Sequence, residues 1–237
     1  MNYMENILEI GCGHGFNTFV LSKLAKSNVI GIDISDEAIS VAKKRYPNIH
    51  FKLMSVEKLN FGDQYFNKVY AIDVFEHVDD LNQVINEISR VLRRKGKLIV
   101  NIPAIRSELF LLRIRPTYFN EIHHVRVFKE NELEETLKEK RFILIKKKKT
   151  GFLQHIELLY LFKRRINSNT QESIGSWRDN IFTKSIHVAV LYFDPFVLKT
   201  PLIFFPIWII TIPIGWLISF FGNYLLPKSV YYEFIKQ

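Results

Sequence analysis

Short apolar runs in the first 150 residues alternate with segments whose apolar residues recur every three or four positions. The runs predict strands over residues 7–10, 29–33, 50–53, 97–102 and 142–147, and a further strand from residue 66 that opens onto a polar turn by residue 78. The periodic segments predict helices over 16–24, 35–46, 81–92 and 130–140. This alternation predicts an α/β fold with a doubly wound, mostly parallel sheet covered by helices on both faces.

Two parts of this region give less regular patterns. Residues 93–96, Arg-Arg-Lys-Gly, are predicted to end the preceding helix with cations and a C-terminal glycine. Residues 104–120 mix apolar and basic side chains without a clear period, and they are predicted to be irregular.

A glycine-rich turn joins the first predicted strand to the first predicted helix. Gly11, Gly13 and Gly15 alternate with other residues immediately after Ile10. Glycines at a strand-to-helix turn let a ligand approach the backbone closely, next to N–H groups without helical partners. Asp33 ends the next predicted strand, eighteen residues after Gly15, where a carboxylate can accept hydrogen bonds from the two hydroxyls of a ribose.

These residues also carry a family resemblance. Glu9-x-Gly11-x-Gly13-x-Gly15 with Gly31-x-Asp33-x-Ser35 resembles motif I and its sequel in class I S-adenosylmethionine-dependent methyltransferases of the type 11-like group. The spacing differs from the G-x-G-x-x-G of nicotinamide dehydrogenases. The resemblance runs from about residue 6 to 103 and more weakly to 149. It implies a Rossmann-like, seven-stranded sheet and S-adenosylmethionine as cofactor.

The resemblance also implies a set of cofactor-binding residues at the ends of the first four strands. Ser55 stands where the family usually has an acidic residue beside the adenine, so the adenine contact is less well supported than the ribose contact. The predicted cofactor-binding residues are Glu9, Gly11, Cys12, Gly13, Gly15, Asp33, Ile34, Ser55, Val56 and Asp73.

Transfer of a methyl group to an oxygen acceptor needs a base unless the oxygen is already ionised. The candidates are His124, His77, His123 and Glu76, and His124 is preferred over His123 because His-Val-Arg recurs near the active site of related enzymes. Asp73-x-x-Glu76-His77 resembles the Glu-x-x-Glu-His turn of quinone-ring O-methyltransferases, some of which use a divalent cation. Three polar residues that simply line the cofactor pocket are the favoured interpretation, so no metal is predicted.

Composition narrows the choice of partners. The chain of 237 residues carries a formal charge of +9, which favours nucleic acid, an anionic membrane or an acidic substrate. Its basic residues flank apolar segments, and no Asn-Pro-Pro-Tyr-like motif ends the fourth strand, so nucleic acid is unlikely as a partner. Cys12 is the one cysteine, which excludes a disulfide framework and favours a reducing compartment. No signal peptide is predicted.

The C-terminal part departs from the family pattern. Residues 1–150 are predicted to form the cofactor-binding domain, 151–227 a hydrophobic helical insert, and 228–237 a terminal strand that returns antiparallel to the sheet. Residues 200–227 hold twenty-eight positions without a charged side chain, more than the roughly 20 needed to span a bilayer, but prolines at 206 and 213 interrupt one straight helix.

Because the terminal strand must return to the sheet, an insert that enters the membrane must leave it on the same side. We therefore expect a monotopic or re-entrant hairpin that contacts membrane lipid through residues 186–227, at the cytoplasmic face. A single C-terminal span and a soluble subdomain are the alternatives.

Together these features predict a methyltransferase for a lipophilic or lipid-linked acceptor at a membrane surface, with O-methylation favoured. A soluble small-molecule methyltransferase is one alternative. A non-catalytic membrane-bound scaffold that retains the fold is another. The acceptor and the oligomeric state are not predicted.

Overall fold

The computed structural model describes residues 4–25, 27–150, 221–225 and 227–237. The chain divides into two compact units, Met1–Lys148 with Ser229–Gln237, and Lys149–Lys228. Most of the second unit lies outside the described residues, and so does most of the predicted hydrophobic insert. The described part of that insert includes a short helical segment at 221–225.

A seven-stranded sheet forms the centre of the first unit. Its strands are β1 (Asn6–Ile10), β2 (Asn28–Asp33), β3 (His50–Leu53), β4 (Phe66–Ile72), β5 (Leu92–Pro103), β6 (Phe142–Thr150) and β7 (Ser229–Lys236). Their order across the sheet is β3-β2-β1-β4-β5-β7-β6. The pairs β2–β3, β1–β2, β1–β4 and β4–β5 are parallel, whereas β7 runs antiparallel to β5. The predicted fold class, a Rossmann-like and mostly parallel seven-stranded sheet, is confirmed.

Helices follow most of the parallel strands, as expected for right-handed crossovers. They are α1 (Phe16–Ala25), α2 (Asp36–Arg45), α3 (Leu81–Val91), α4 (Ile105–Ile114), α5 (Tyr118–Ile122) and α6 (Glu132–Glu139), with a 3₁₀ turn over Phe75–His77. Ser35 caps α2 as its sequence position indicates, because its Oγ accepts a hydrogen bond of 3.1 Å from the Ala38 N–H.

The main core lies where α3 and α6 pack against the sheet. Val84, Ile85 and Ile88 on one face of α3 are fully buried, and they belong to the same apolar cluster as Leu98 of β5 and Phe234 of β7. Leucine, isoleucine and phenylalanine side chains buried in this way each stabilise the fold by about 1.5–3 kcal/mol. β7 therefore contributes to the core as well as to the hydrogen bonding of the sheet.

The segment predicted to be irregular, residues 104–120, is mostly helical, so that prediction was wrong. It contains α4 and the start of α5. The side chains that α4 buries are Ser107, Glu108 and Leu111, so two of the three inward positions are polar. An apolar periodicity cannot reveal such a face, because the hydrophobic pattern counts those two positions as exposed.

The predicted helix end at 93–96 was also wrong. Helix α3 ends at Val91, and Leu92 already pairs with Phe66 as the first residue of β5. Gly96 lies within that strand, where an added Cβ would meet the Arg93 carbonyl oxygen at 2.8 Å. The glycine therefore serves a close backbone approach in the strand and does not cap the helix.

Within the described ranges, no helix is long and apolar enough to cross a bilayer. Residues 151–220 and 226, which carry nearly all of the predicted membrane-associated insert, fall outside those ranges.

Candidate functional site

The carboxyl ends of β1 and β4 form the point where the strand order reverses direction. From β1 the chain moves outward to β2 and β3, and it then returns to the other side of β1 with β4. In open α/β sheets such a reversal leaves a crevice at the carboxyl ends of the strands. Every predicted cofactor-binding residue except Glu9 follows β1, β2, β3 or β4 at this edge or, in the case of Asp33, ends a strand there.

The glycine turn after β1 has a backbone that other residues adopt only with strain. Gly11, Gly13 and Gly15 have φ angles of 65°, 50° and 82°. A Cβ added to Gly11 would lie 2.5 Å from Cγ2 of Val74, so this glycine allows the turn to pack against the segment after β4. A Cβ added to Gly13 would meet no atom within 4 Å. Gly13 therefore borders open space that a ligand can occupy.

The Asp33 carboxylate connects this turn to β2. Its Oδ2 accepts a hydrogen bond of 2.8 Å from the Gly13 N–H, and its Oδ1 accepts one of 2.9 Å from the Ser35 N–H. A carboxylate has about four acceptor positions, so Asp33 retains capacity for ribose hydroxyls. The next residue, Ile34, exposes 77% of its surface, which leaves an apolar face available to an adenine ring.

Glu9 and Cys12 lie in the interior beside the turn. Glu9 is 1% exposed, and its Oε2 accepts a hydrogen bond from the Thr18 hydroxyl. Desolvation raises the pKa of Glu9 to about 7, against the opposing effect of the Thr18 hydrogen bond. Burial, together with the nearby Glu9, raises the pKa of the Cys12 thiol to about 12. Cys12 is therefore a packed, neutral thiol and not a nucleophile.

The remaining predicted cofactor contacts follow β3 and β4. Ser55 is half-buried, and its Oγ accepts a hydrogen bond of 3.2 Å from the Glu57 N–H. Val56 is half-buried against the main core. Asp73 has a left-handed φ of 54° and accepts a hydrogen bond of 2.8 Å from the Asn101 side-chain amide. The structure places all three at the expected sheet edge, and their cofactor contacts remain predictions.

Three of the four predicted catalytic residues form one cluster. A carboxylate oxygen of Glu76 and a ring nitrogen from each of His77 and His124 lie within 4.8 Å of one another. The two imidazole rings meet edge to face, with centroids 4.8 Å apart. Although His77 is an exposed residue, partial desolvation of its ring and, to a smaller extent, the nearby His124 lower the pKa of the imidazole, which favours its neutral form. Desolvation and the nearby Asp73 raise the pKa of Glu76 to about 8.

The imidazoles of His77 and His124 each donate a hydrogen bond through Nδ1. The sequence analysis predicted neither acceptor. His124 Nδ1 lies 2.8 Å from Oε2 of Glu108, and both side chains are buried. His77 Nδ1 lies 3.0 Å from the carbonyl oxygen of His123. A carbonyl oxygen only accepts, so Nδ1 of His77 carries the proton and its Nε2 retains a lone pair. His123 thus meets the cluster through its backbone, and a catalytic role for its side chain remains a prediction.

Glu108 and Arg126 are the main residues that the sequence analysis missed. Glu108 is the one acidic residue between positions 104 and 120, and this isolation among apolar and basic neighbours was the available signal. Arg126 donates through Nη2 to the carbonyl oxygens of Val78 and Asp79, at 2.6 and 2.7 Å. These bonds fix the loop that carries His124 against the turn that carries His77.

Comparison with known proteins identifies the central part of this unit. Residues 8–100 match the family model described as a methyltransferase domain. These residues form a methyltransferase domain. A demethylmenaquinone methyltransferase of Chlorobaculum parvum is 32% identical over 116 residues, 49% of this chain and 48% of that protein. An O-methyltransferase of Penicillium expansum is 33% identical over 102 residues, 40% of this chain and 37% of that protein.

Solved structures give the same assignment. A structure from Methanosarcina mazei described as an S-adenosylmethionine-dependent methyltransferase is 25% identical, covers 63% of this chain and 84% of its own, and superposes with a TM-score of 0.53. The predicted enzyme class and cofactor are thereby confirmed for the methyltransferase domain. The chain spans less than half of the length of the two curated relatives above.

The site fits S-adenosylmethionine on its own geometry. Gly13 faces open space, Asp33 has unused acceptor capacity, and the exposed Ile34 offers an apolar surface. When bound, this cofactor supplies a methyl group on a positively charged sulfur. Because Val74 packs against Gly11 and lies two residues before Glu76, the cofactor loop and the histidine cluster are held to the same turn.

Gly13→Ala tests whether the cofactor occupies the space above the turn. The left-handed φ costs the fold about 1–2 kcal/mol on substitution, but no protein atom blocks the new methyl group. A cofactor in that space would be obstructed, so we expect S-adenosylmethionine affinity to fall by roughly 5- to 150-fold in calorimetric titration. Gly62→Ala, which also meets no atom within 4 Å, is the control. Unchanged affinity in Gly13→Ala would place the cofactor elsewhere.

Glu9→Gln tests the burial of this carboxyl group. Because the folded pKa of about 7 exceeds the ordinary 4.5, the stability that protonated Glu9 contributes is complete below pH 4.5 and is lost as the pH rises through 7. Glutamine does not ionise, so the variant does not lose this stability. The unfolding free energy of Glu9→Gln minus that of the wild type should therefore increase by up to about 3 kcal/mol from pH 5 to pH 8. Denaturant unfolding measures this difference. A gap that stays constant with pH contradicts the account, and exposed Glu57→Gln is the matched control.

Proposed function

We propose that this protein uses S-adenosylmethionine to methylate an oxygen atom of a lipophilic or lipid-linked acceptor at a membrane surface. The observation that carries the proposal is the attachment of the His77–His124 cluster to the same turn that packs against the glycine loop. A cofactor over Gly13 and an acceptor beside the imidazoles would then meet at one edge of the sheet.

The chain's part in this reaction is alignment and activation of the acceptor oxygen. Methyl transfer requires acceptor oxygen, methyl carbon and sulfur in line, so a site that holds both reactants supplies much of the rate enhancement. The Nε2 lone pair of His77 is available to take a hydroxyl proton, and His124 lies beside it in the same cluster. Glu108 orients His124 through Nδ1, as a carboxylate does for a catalytic histidine in other enzyme classes.

A lipophilic acceptor is supported by sequence and by one relative. The Chlorobaculum parvum protein is named for demethylmenaquinone. Residues 200–227 carry no charged side chain, and within the described segment 221–225 Tyr224 and Leu225 are 71% and 63% exposed. Lysines at 199 and 228 flank the apolar stretch, as at a membrane interface. We propose that residues 186–227 contact lipid at the cytoplasmic face of a membrane and that 151–227 form a unit distinct from the domain over 1–150.

Asp33→Ala tests the cofactor half of the proposal. Loss of a carboxylate that accepts charge-assisted hydrogen bonds costs about 1.5–3 kcal/mol for each bond, so S-adenosylmethionine affinity should fall by at least roughly 10-fold in calorimetric titration of the full chain. Asp63→Ala, which removes an exposed carboxylate paired with Arg90, should bind like the wild type.

The same proteins also test the proposed acceptor, with S-adenosylmethionine that carries a tritium-labelled methyl group. Incubation with a total lipid extract should transfer label to the organic phase with wild type and Asp63→Ala, and not with Asp33→Ala. Label that appears only in water-soluble products would contradict a lipophilic acceptor. Cofactor binding without transfer to either fraction would favour a non-catalytic scaffold.

A further inference from the structure

The Glu76 carboxyl group is buried without a hydrogen-bond partner among the described groups. The residue is 1% exposed, and neither Oε1 nor Oε2 has a partner among the described groups. An isolated carboxyl group in such a place costs several kcal/mol unless something compensates it. Arg126 follows Val125, whose N–H donates to the Glu76 carbonyl oxygen. Its Nη2 donates to the carbonyls of Val78 and Asp79, and its buried Nε has no hydrogen-bond partner in the described part of the chain. Glu76 is thus a buried acceptor with its binding capacity unused.

Two imidazole nitrogens complete a donor set with this carboxylate. The ligand atoms of Glu76, His77 and His124 lie within 4.8 Å of one another. Nδ1 of each imidazole is engaged, by the His123 carbonyl and by Glu108. Metal-bound histidines usually donate their other ring N–H to a carbonyl or a carboxylate in this way, which fixes the tautomer and orients the ring.

We propose that Glu76, His77 and His124 bind a divalent transition-metal ion, with Glu108 and the His123 carbonyl as the groups that orient the two imidazoles. Two imidazoles and one carboxylate suit Zn²⁺ and Fe²⁺, and this set leaves coordination positions open. With metal–ligand bonds of about 2.0–2.2 Å, closing around an ion requires side-chain shifts of roughly 1 Å. The sequence-based prediction was no metal, since it considered Glu76 and His77 with Asp73 and could not place His124 beside them.

The role of the ion, unlike its binding, rests on the proposed function. A bound cation lowers the pKa of a hydroxyl that coordinates to it, so it activates an acceptor oxygen and holds it in position. In this case the imidazole lone pairs bind the ion and do not take the hydroxyl proton. The acceptor's proton passes to solvent. The open positions of the site are the places for that oxygen.

The test uses the full chain without a polyhistidine tag, stripped with a chelator and titrated with Zn²⁺ by calorimetry. Wild type should bind close to one equivalent per chain, and Glu76→Gln should lose that binding. Glu108→Gln, which changes only an orienting group, should weaken Zn²⁺ by about 10- to 100-fold. His50→Asn and Glu57→Gln, at exposed positions outside the cluster, should bind like the wild type. Co²⁺ should give the strong visible absorption of a four- or five-coordinate site in wild type.

Absence of stoichiometric Zn²⁺ binding by wild type, or binding that Glu76→Gln leaves unchanged, overturns the proposal. An ion pair between Glu76 and Arg126 would produce the first of these results. S-adenosylmethionine titration of every variant reports whether it is folded, and the Co²⁺ spectrum of wild type tests the site without any substitution. If wild type binds Zn²⁺ but not S-adenosylmethionine, the metal site is supported and the proposed function is refuted. If it binds S-adenosylmethionine but not Zn²⁺, the metal site is refuted and the proposed function is supported.

Discussion

The hydrogen bond from the Gly13 N–H to the Asp33 carboxylate is the contact on which the cofactor site depends. It joins the turn after β1 to the end of β2, so two neighbouring strands hold one loop in a fixed shape. The loop accepts this shape because three of its residues are glycines with left-handed φ angles. The same carboxylate that fixes the loop has acceptor capacity left for a ligand, so the contact that shapes the loop also provides part of the binding site.

A second constraint, the packing of Val74 against Gly11, links the glycine loop to the histidine cluster. Gly11 has no Cβ, so Val74 packs directly against the loop, and the turn that follows Val74 presents Glu76 and His77. Arg126 then fixes the loop that carries His124 by bonding to carbonyls beyond that turn. The histidine cluster is therefore assembled from β4 and from a loop about fifty residues later in the chain.

Sequence patterns predicted the part of the site that local spacing determines. Gly11, Gly13 and Asp33 lie at the carboxyl ends of β1 and β2. Because these two strands are joined through one helix and pair in parallel, their ends meet at the same edge of the sheet. The centre of the sheet was equally accessible, since β1 and β2 are apolar runs that are mostly buried on both faces. Helix α4 was missed because Ser107 and Glu108 occupy inward positions that an apolar pattern does not register. The pairing of Glu108 with His124, and of His124 with Glu76, depends on tertiary contacts that no local spacing contains.

The central claim is that the space above Gly13 holds the cofactor with its ribose on Asp33. A crystal structure of the full chain with S-adenosylhomocysteine, the product form of the cofactor, tests it most directly. We expect both ribose hydroxyls within hydrogen-bonding distance of the Asp33 carboxylate and the adenine against Ile34. A ligand bound away from the glycine turn, with Asp33 contacting only Gly13 and Ser35, would contradict it.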